Sequence, residues 1–473
     1  MLGAAGLDVV VLEAGGHYEE ADFDGGEFAG FSRLYLGGGA VASQDQSVGL
    51  LAGQCLGGGT VVNYTASFRT PDDVRQEWAG HGVPAFLSEE YDRSLDSVWE
   101  RIGVNEEHAT STPRDEIVRR GLAALGWDSA PCPRNVRGCD DGTVCGYCHF
   151  GCTRGAKQSA LKTWLADAQQ AGARMVVETA ALKVIVEAGA ARGVEARTNA
   201  GHRVTVQSRA VVAACGAIHT PALLRRSGLR NATIGRNLRL HPVTVVWGLF
   251  EEQVTPWRGS VIGMYSDHDR FLDGGYGVKY ETAAIQPHIL IAFAPWRDAR
   301  SHADMMLALD HTHGVGVLLR DRDGGEVRVG RDGQPVVRYR LSDFDAGHLR
   351  TGLDGAARIL EAAGARRVFS SHAKPVAYEP GRDGGRERYM RDADAAGYGP
   401  GRCTLVSFHI MGSARMGGSP AGSACDPEGQ TWEVRDLVVC DGSAFPTSSG
   451  VNPMVSIEAV PHMNASRLAA RLG

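Results

Sequence analysis

The chain has no stretch of about 18 uninterrupted apolar residues, which leaves no candidate for a membrane-spanning helix. No basic region leads into an apolar leader at Met1, so a cytoplasmic setting is expected. Long basic runs are also missing, and 49 Lys and Arg against 55 Asp and Glu leave a net charge of −6, which gives no footprint for nucleic acid. A further absence concerns the first strand: Asp8–Leu12 (DVVVL) followed by Glu13-Ala-Gly-Gly16 reads as a buried parallel strand ending in an acid, yet no G-x-G-x-x-G turn precedes it. Met1–Gly6 reads as the last turn of a helix, and a misplaced start or a fragment is the expected reason.

What is present is ordinary for a globular protein: 43% hydrophobic and 22% charged residues over 473 positions, enough for two substructures with their own cores. The 62 glycines are clustered as well as numerous. Leu36-Gly-Gly-Gly39 and Gly53-Gln-Cys-Leu-Gly-Gly-Gly-Thr-Val-Val-Asn63 read as loops whose backbone lies along a planar ligand. Ser88–Ile102 carries Leu95, Val98, Trp99 and Ile102 at helical spacing. Five of the ten cysteines then fall within 132–152, including Cys139, Cys145, Cys148 and Cys152. Three readings of them stay open: a zinc or iron–sulfur site, disulfides, or reduced thiols.

Alternating segments at 175–178, 181–186, 193–197 and 203–207 read as a small β meander. Ala210–Gly216 reads as a buried strand, followed by a helix with Thr220 as cap and Pro221 as its first residue. Beyond 243, the runs 288–293, 305–309, 316–319, 326–329 and 336–340 read as one antiparallel sheet, with Asp332-Gly333 as a hairpin turn and a helix over 343–363. His311 and His313 read as a polar sheet face, and His219 and His241 as structural residues. Near the C-terminus, Phe408-His-Ile-Met-Gly-Ser-Ala-Arg-Met-Gly417, Cys440-Asp-Gly-Ser-Ala-Phe-Pro446 and Gly450-Val-Asn-Pro-Met454 bring a His and an Asn into Gly-rich backbone. Imidazole titrates near working pH and an amide both donates and accepts, so His409 and Asn452 are candidate catalytic residues.

These C-terminal blocks, with the 53–63 run and Ala210–Gly228, resemble the signatures of the glucose–methanol–choline (GMC) oxidoreductases across nearly the whole chain, nearest to the long-chain alcohol oxidase branch. The resemblance implies an α/β fold: a Rossmann-like FAD-binding domain, truncated at its N-terminus (1–75, 153–242 and 400–473), and an antiparallel-sheet substrate domain (76–152 and 243–399). It further implies FAD held by Glu13, Gly57, Gly58, Asn63, Gly216, Asp441, Gly442, Asn452, Pro453 and Met454, and non-covalently, since Val62 stands where some members attach it through His. His409 would accept the proton of a small-molecule alcohol and Asn452 would hold the same oxygen, with oxygen or another electron acceptor downstream. Gln54 and Ser67 depart from the family pattern. A sugar or polyol dehydrogenase and an inactive fragment or binding scaffold are the alternatives.

Overall fold

The computed structural model describes residues 1–109, 111–139, 145–382 and 384–473, so part of the Cys-rich insert, residues 140–144, lies outside the described residues. In chain order the elements that position the site are β1 (Val10–Leu12), α1 (Gly59–Val62), β2 (Arg174–Val176), β3 (Val211–Ala213), α2 (Gly216–Arg226), β4 (Val243–Leu249), β5 (Met264–Ser266), β6 (Val278–Thr282), β7 (Thr312–Leu319), α3 (Asp343–Ala362), β8 (Leu405–Ser407), β9 (Leu437–Val439) and α4 (Met454–Leu472).

Two parallel pairs, β1 with β2 and β3 with β9, carry the expected first strand and its partners. Among the described residues, β1 and β3 each pair on one side only. A three-stranded antiparallel meander, 179–187, 190–198 and 203–207, stands beside them. The larger mixed sheet runs 41–42, 48–50, β8, β4, β7, β6, β5, 130–131, and strands at 367–370 and 377–378 extend from β4. β4 pairs antiparallel with β7 from Val243↔Leu318 to Leu249↔Thr312, and β6 with the other edge of β7. Residues 41–50 and β8 thus join a sheet whose other strands come mostly from 243–399.

α3 covers this sheet. Its buried Leu349, Leu353, Ala356, Ile359 and Leu360 recur every three or four residues, one face of a helix. Gly352 lets that face close in, because a Cβ there would sit 2.4 Å from Val317 Cγ1. The core under α3 joins Val246, Val278, Tyr280, Val315 and Val317.

Several sequence expectations are corrected. Segments 288–293 and 305–309 are not strands: the first lies in helix Pro287–Phe293, and the second runs from the end of helix Ala299–Leu307 into the 3-10 turn Leu309–His311. A six-residue apolar run is compatible with either element, and Pro287 at the first helical position and an Asp298–Ser301 capping box decide for helix. The strands at 325–329 and 335–338 form a separate sheet with 236–238 rather than joining the large one. α2 begins at Gly216, four residues before Thr220, so Pro221 lies inside it. His311 ends a 3-10 turn, while His313 on β7 is fully buried, so the two share no sheet face.

Candidate active site

The strand ends come together first. β1 runs into Glu13, whose Oε1 accepts the N–H of Gly15 at 2.7 Å, and burial raises its carboxyl. β3 runs into Cys215 and Gly216, and β9 into Asp441. The exposed Cys215 lies within electrostatic reach of both Asp441 and Glu13, so the three strand ends sit near one another. A crevice at the carboxyl ends of parallel strands is where α/β sheets take ligands.

The backbone there is open. Gly216 has φ +75° and Gly58 φ +53°, and a Cβ on either, or on Gly59, would meet nothing within 4 Å. Gly57 differs: its Cβ would press on Val61 and Leu161, so it serves the turn. Asp441 is committed to protein partners, since Oδ2 accepts the N–H of Gly216 at 2.9 Å and the hydroxyl of Thr220 at 2.5 Å, while Oδ1 accepts the N–H of Ser443 at 2.8 Å. It thereby holds the first turn of α2 against β9, and Gly442 follows it into a buried turn.

Asn63 caps α1 and ties it to the far end of the chain, its Nδ2 donating to Met454 Sδ at 2.8 Å. Met454 opens α4 directly after Pro453. Lys157, which sequence reasoning missed, clamps the same run: its buried Nζ donates to the carbonyls of Val61 (2.6 Å), Asn63 (2.8 Å) and Cys148 (2.8 Å), and burial lowers its pKa to about 8. All ten cysteines are free thiols, and no set of three His, Cys, Asp or Glu side chains among the described residues is arranged to hold a metal.

His409 is half-buried after β8, and burial pushes its imidazole down to about 3, so the ring is neutral at working pH. Its Nδ1 lies 3.3 Å from Nδ1 of His241, a fully buried ring that burial and then His409 keep neutral. Nε2 of His241 accepts the N–H of Gly450 at 3.2 Å. His241 therefore joins His409 to the turn that carries Asn452, and it too was missed as a site residue. The pair has two tautomeric arrangements. In one, His241 keeps the Gly450 bond and donates to His409, whose Nε2 then carries a proton and donates. In the other, His409 donates to His241 and frees Nε2 to accept, at the cost of one long hydrogen bond, about 1–3 kcal/mol. His409 can act in both senses.

Asn452 is 6% exposed, its Nδ2 lies 3.4 Å from Glu281 Oε2, and its Oδ1 has no protein partner. A cleft of about 630 Å³ between Gln44, Arg236, Asn237, Glu326 and Arg338 is lined by neither His409 nor Asn452.

An open glycine cradle at the carboxyl ends of parallel strands marks an α/β fold with room for a flat ligand. Family models for GMC oxidoreductases match residues 31–243 and 321–460, and the chain belongs to the GMC oxidoreductase family. It is 34% identical over its whole length to long-chain-alcohol oxidase FAO4B of Arabidopsis thaliana, and spans 65% of that relative's length. With an uncharacterized GMC-type oxidoreductase of Mycobacterium tuberculosis it shares 33% identity over all of this chain and 73% of the relative. Solved structures of pyridoxine 4-oxidase from Mesorbium loti (TM-score 0.72, 16% identity, 98% of this chain and 96% of that one) and of an Aspergillus oryzae formate oxidase variant (0.73, 15%, 99% and 96%) share the fold. FAD is the cofactor of this family, and the residues present fit it: the open faces of Gly58, Gly59 and Gly216 leave room for a flat group.

Proposed function

We propose that the chain oxidises the CH–OH group of an alcohol to a carbonyl. His409 accepts the hydroxyl proton at Nε2, and Asn452 hydrogen-bonds the same oxygen as it becomes alkoxide-like. FAD, when bound, supplies the acceptor for the hydride that leaves the carbon. Glu13, Gly58, Asn63 and Gly216 hold it, non-covalently because Val62 offers no nucleophile. The observation that carries this reading is His241, whose two nitrogens join His409 to Gly450, two residues from Asn452.

A long-chain primary alcohol is the favoured substrate class, supported by the names of the relatives at 34% identity. Buried Glu281 beside Asn452 offers a polar wall suited to a hydroxylated substrate and favours a second reading, a sugar or polyol dehydrogenase. The test is the purified chain's flavin content and spectrum, with and without long alkanols and sugars. One FAD per chain, released by acid and bleached by an alkanol, is expected. A flavin that no alcohol bleaches would overturn the activity.

A further inference from the structure

Glu281 stands on β6 with its side chain inside the protein, 8% exposed. One carboxyl oxygen faces the Asn452 amide at 3.4 Å, and the other, Oε1, has no partner. At the opposite end of the same amide, Oδ1 is also buried without a partner. A buried carboxyl and a buried amide, each half satisfied, form a two-state pair. If Glu281 is ionised it must accept, so it takes Nδ2 and leaves the carbonyl end of Asn452 for the substrate. If it is protonated it donates to Oδ1, and the amide turns to present its N–H. An oxygen gathering negative charge needs a donor, and a carbonyl there would repel it.

Resting on the reading of Asn452 as the residue that holds the substrate oxygen, we propose that Glu281 is a positioning residue whose proton turns the Asn452 amide so that Nδ2–H, rather than Oδ1, meets that oxygen. The surroundings favour the protonated form. Burial is the largest influence and raises the carboxyl; Lys279 and the Asn452 N–H act against it, and Asp267 adds to it. Lys279, two residues along the same face of β6, is drawn elsewhere: its Nζ lies 3.3 Å from Asp267 Oδ1 and over the rings of Phe68 (3.8 Å) and Tyr265 (3.6 Å). The buried thiol of Cys132 is the remaining titratable neighbour, and burial holds it neutral, up to about 12.

The test compares Glu281→Gln and Glu281→Leu in the full chain. Gln keeps a donor toward Oδ1 at every pH, so kcat should stay within about threefold of the parent and lose its alkaline fall. Leu cannot donate, and kcat should drop about 10–100-fold, part of the 10²–10³ that removal of an oxyanion donor costs, with KM little changed. A second readout needs no turnover: infrared difference spectra of parent against Glu281→Gln should show the carbonyl stretch of a protonated carboxyl at neutral pH, with or without flavin. A carboxylate signal there, or a Gln variant as impaired as Leu, overturns the proposal. If neither chain oxidises any alcohol, the infrared band still decides the state of Glu281, and the failure belongs to the alcohol reading.

Discussion

The His409 ring is a neutral acceptor because burial holds its pKa near about 3, so its base form is fully present above about pH 4 and acidification to pH 5 should not remove it. His409→Ala should lower kcat by about 10²–10⁴-fold, the usual contribution of a general base, with flavin content unchanged on the absorption spectrum. His241→Leu should also lower kcat without releasing flavin, because the His409 ring loses the Nδ1 contact that fixes its orientation. If that variant turned over at the parental rate, the positioning argument would fail. His409 and Asn452 stand out as candidates in the sequence because each sits in a distinctive Gly-rich block. Glu281 and His241 do not, because their partners lie 171 and 168 positions away, and only the pairing of β6 with β7 and of β4 with β8 brings them in.

At the level of elements, α2 shows how a local rule was overridden. Pro221 after Thr220 reads as a helix start, yet the helix begins at Gly216 and Pro221 leaves the carbonyl of Ala217 without its helical donor. The buried hydroxyl of Ser413 fills that place, donating to Ala217 O at 2.6 Å. Ser413→Ala should therefore cost about 1–3 kcal/mol of stability, read as a lower urea midpoint with unchanged slope. Gly216→Ala separates cradle from fold: the added Cβ meets nothing in the protein, and a non-Gly residue at φ +75° costs about 1–2 kcal/mol. FAD affinity should fall far more than stability, by equilibrium dialysis against the urea midpoint. Equal losses in both would show that the open side of Gly216 is not where the cofactor lies. The strands expected within 8–12 and 210–216 and three of the four meander segments are present because β-branched runs between turns leave few alternatives, whereas 174–176 pairs parallel with β1 instead of joining the meander. The helices at 287–293 and 299–307 were hidden by apolar runs too short to show a period.

Across the whole molecule, buried histidines and buried carboxyls together set the response to acid. His313 and His409 are held by burial near about 3 and His372 near about 4, and His149 and His241 are pushed down as well, burial again being the largest cause. The unfolded chain takes up these protons near pH 6.5 and the native chain does not, so each ring favours the native state at neutral pH and withdraws that support as pH falls. At about pH 5 His313, His372 and His409 have each withdrawn about 2 kcal/mol. Buried carboxyls act in the opposite sense: burial raises Asp321 to about 6 and Glu458 to about 7, and pushes Glu13, Glu281, Asp345, Asp426 and Asp441 up as well, so the native chain takes up these protons first and recovers stability on acidification, about 1–3 kcal/mol at each of Asp321 and Glu458. Rings and carboxyls thus pull the pH response in opposite directions, and removing one ring isolates its share. His313→Asn should make the urea midpoint less acid-sensitive than the parent's between pH 7 and pH 5, by about 2 kcal/mol of unfolding free energy. An equal pH dependence in parent and variant would mean that the His313 ring finds a proton partner on acidification, and the neutral-ring account would fall with it.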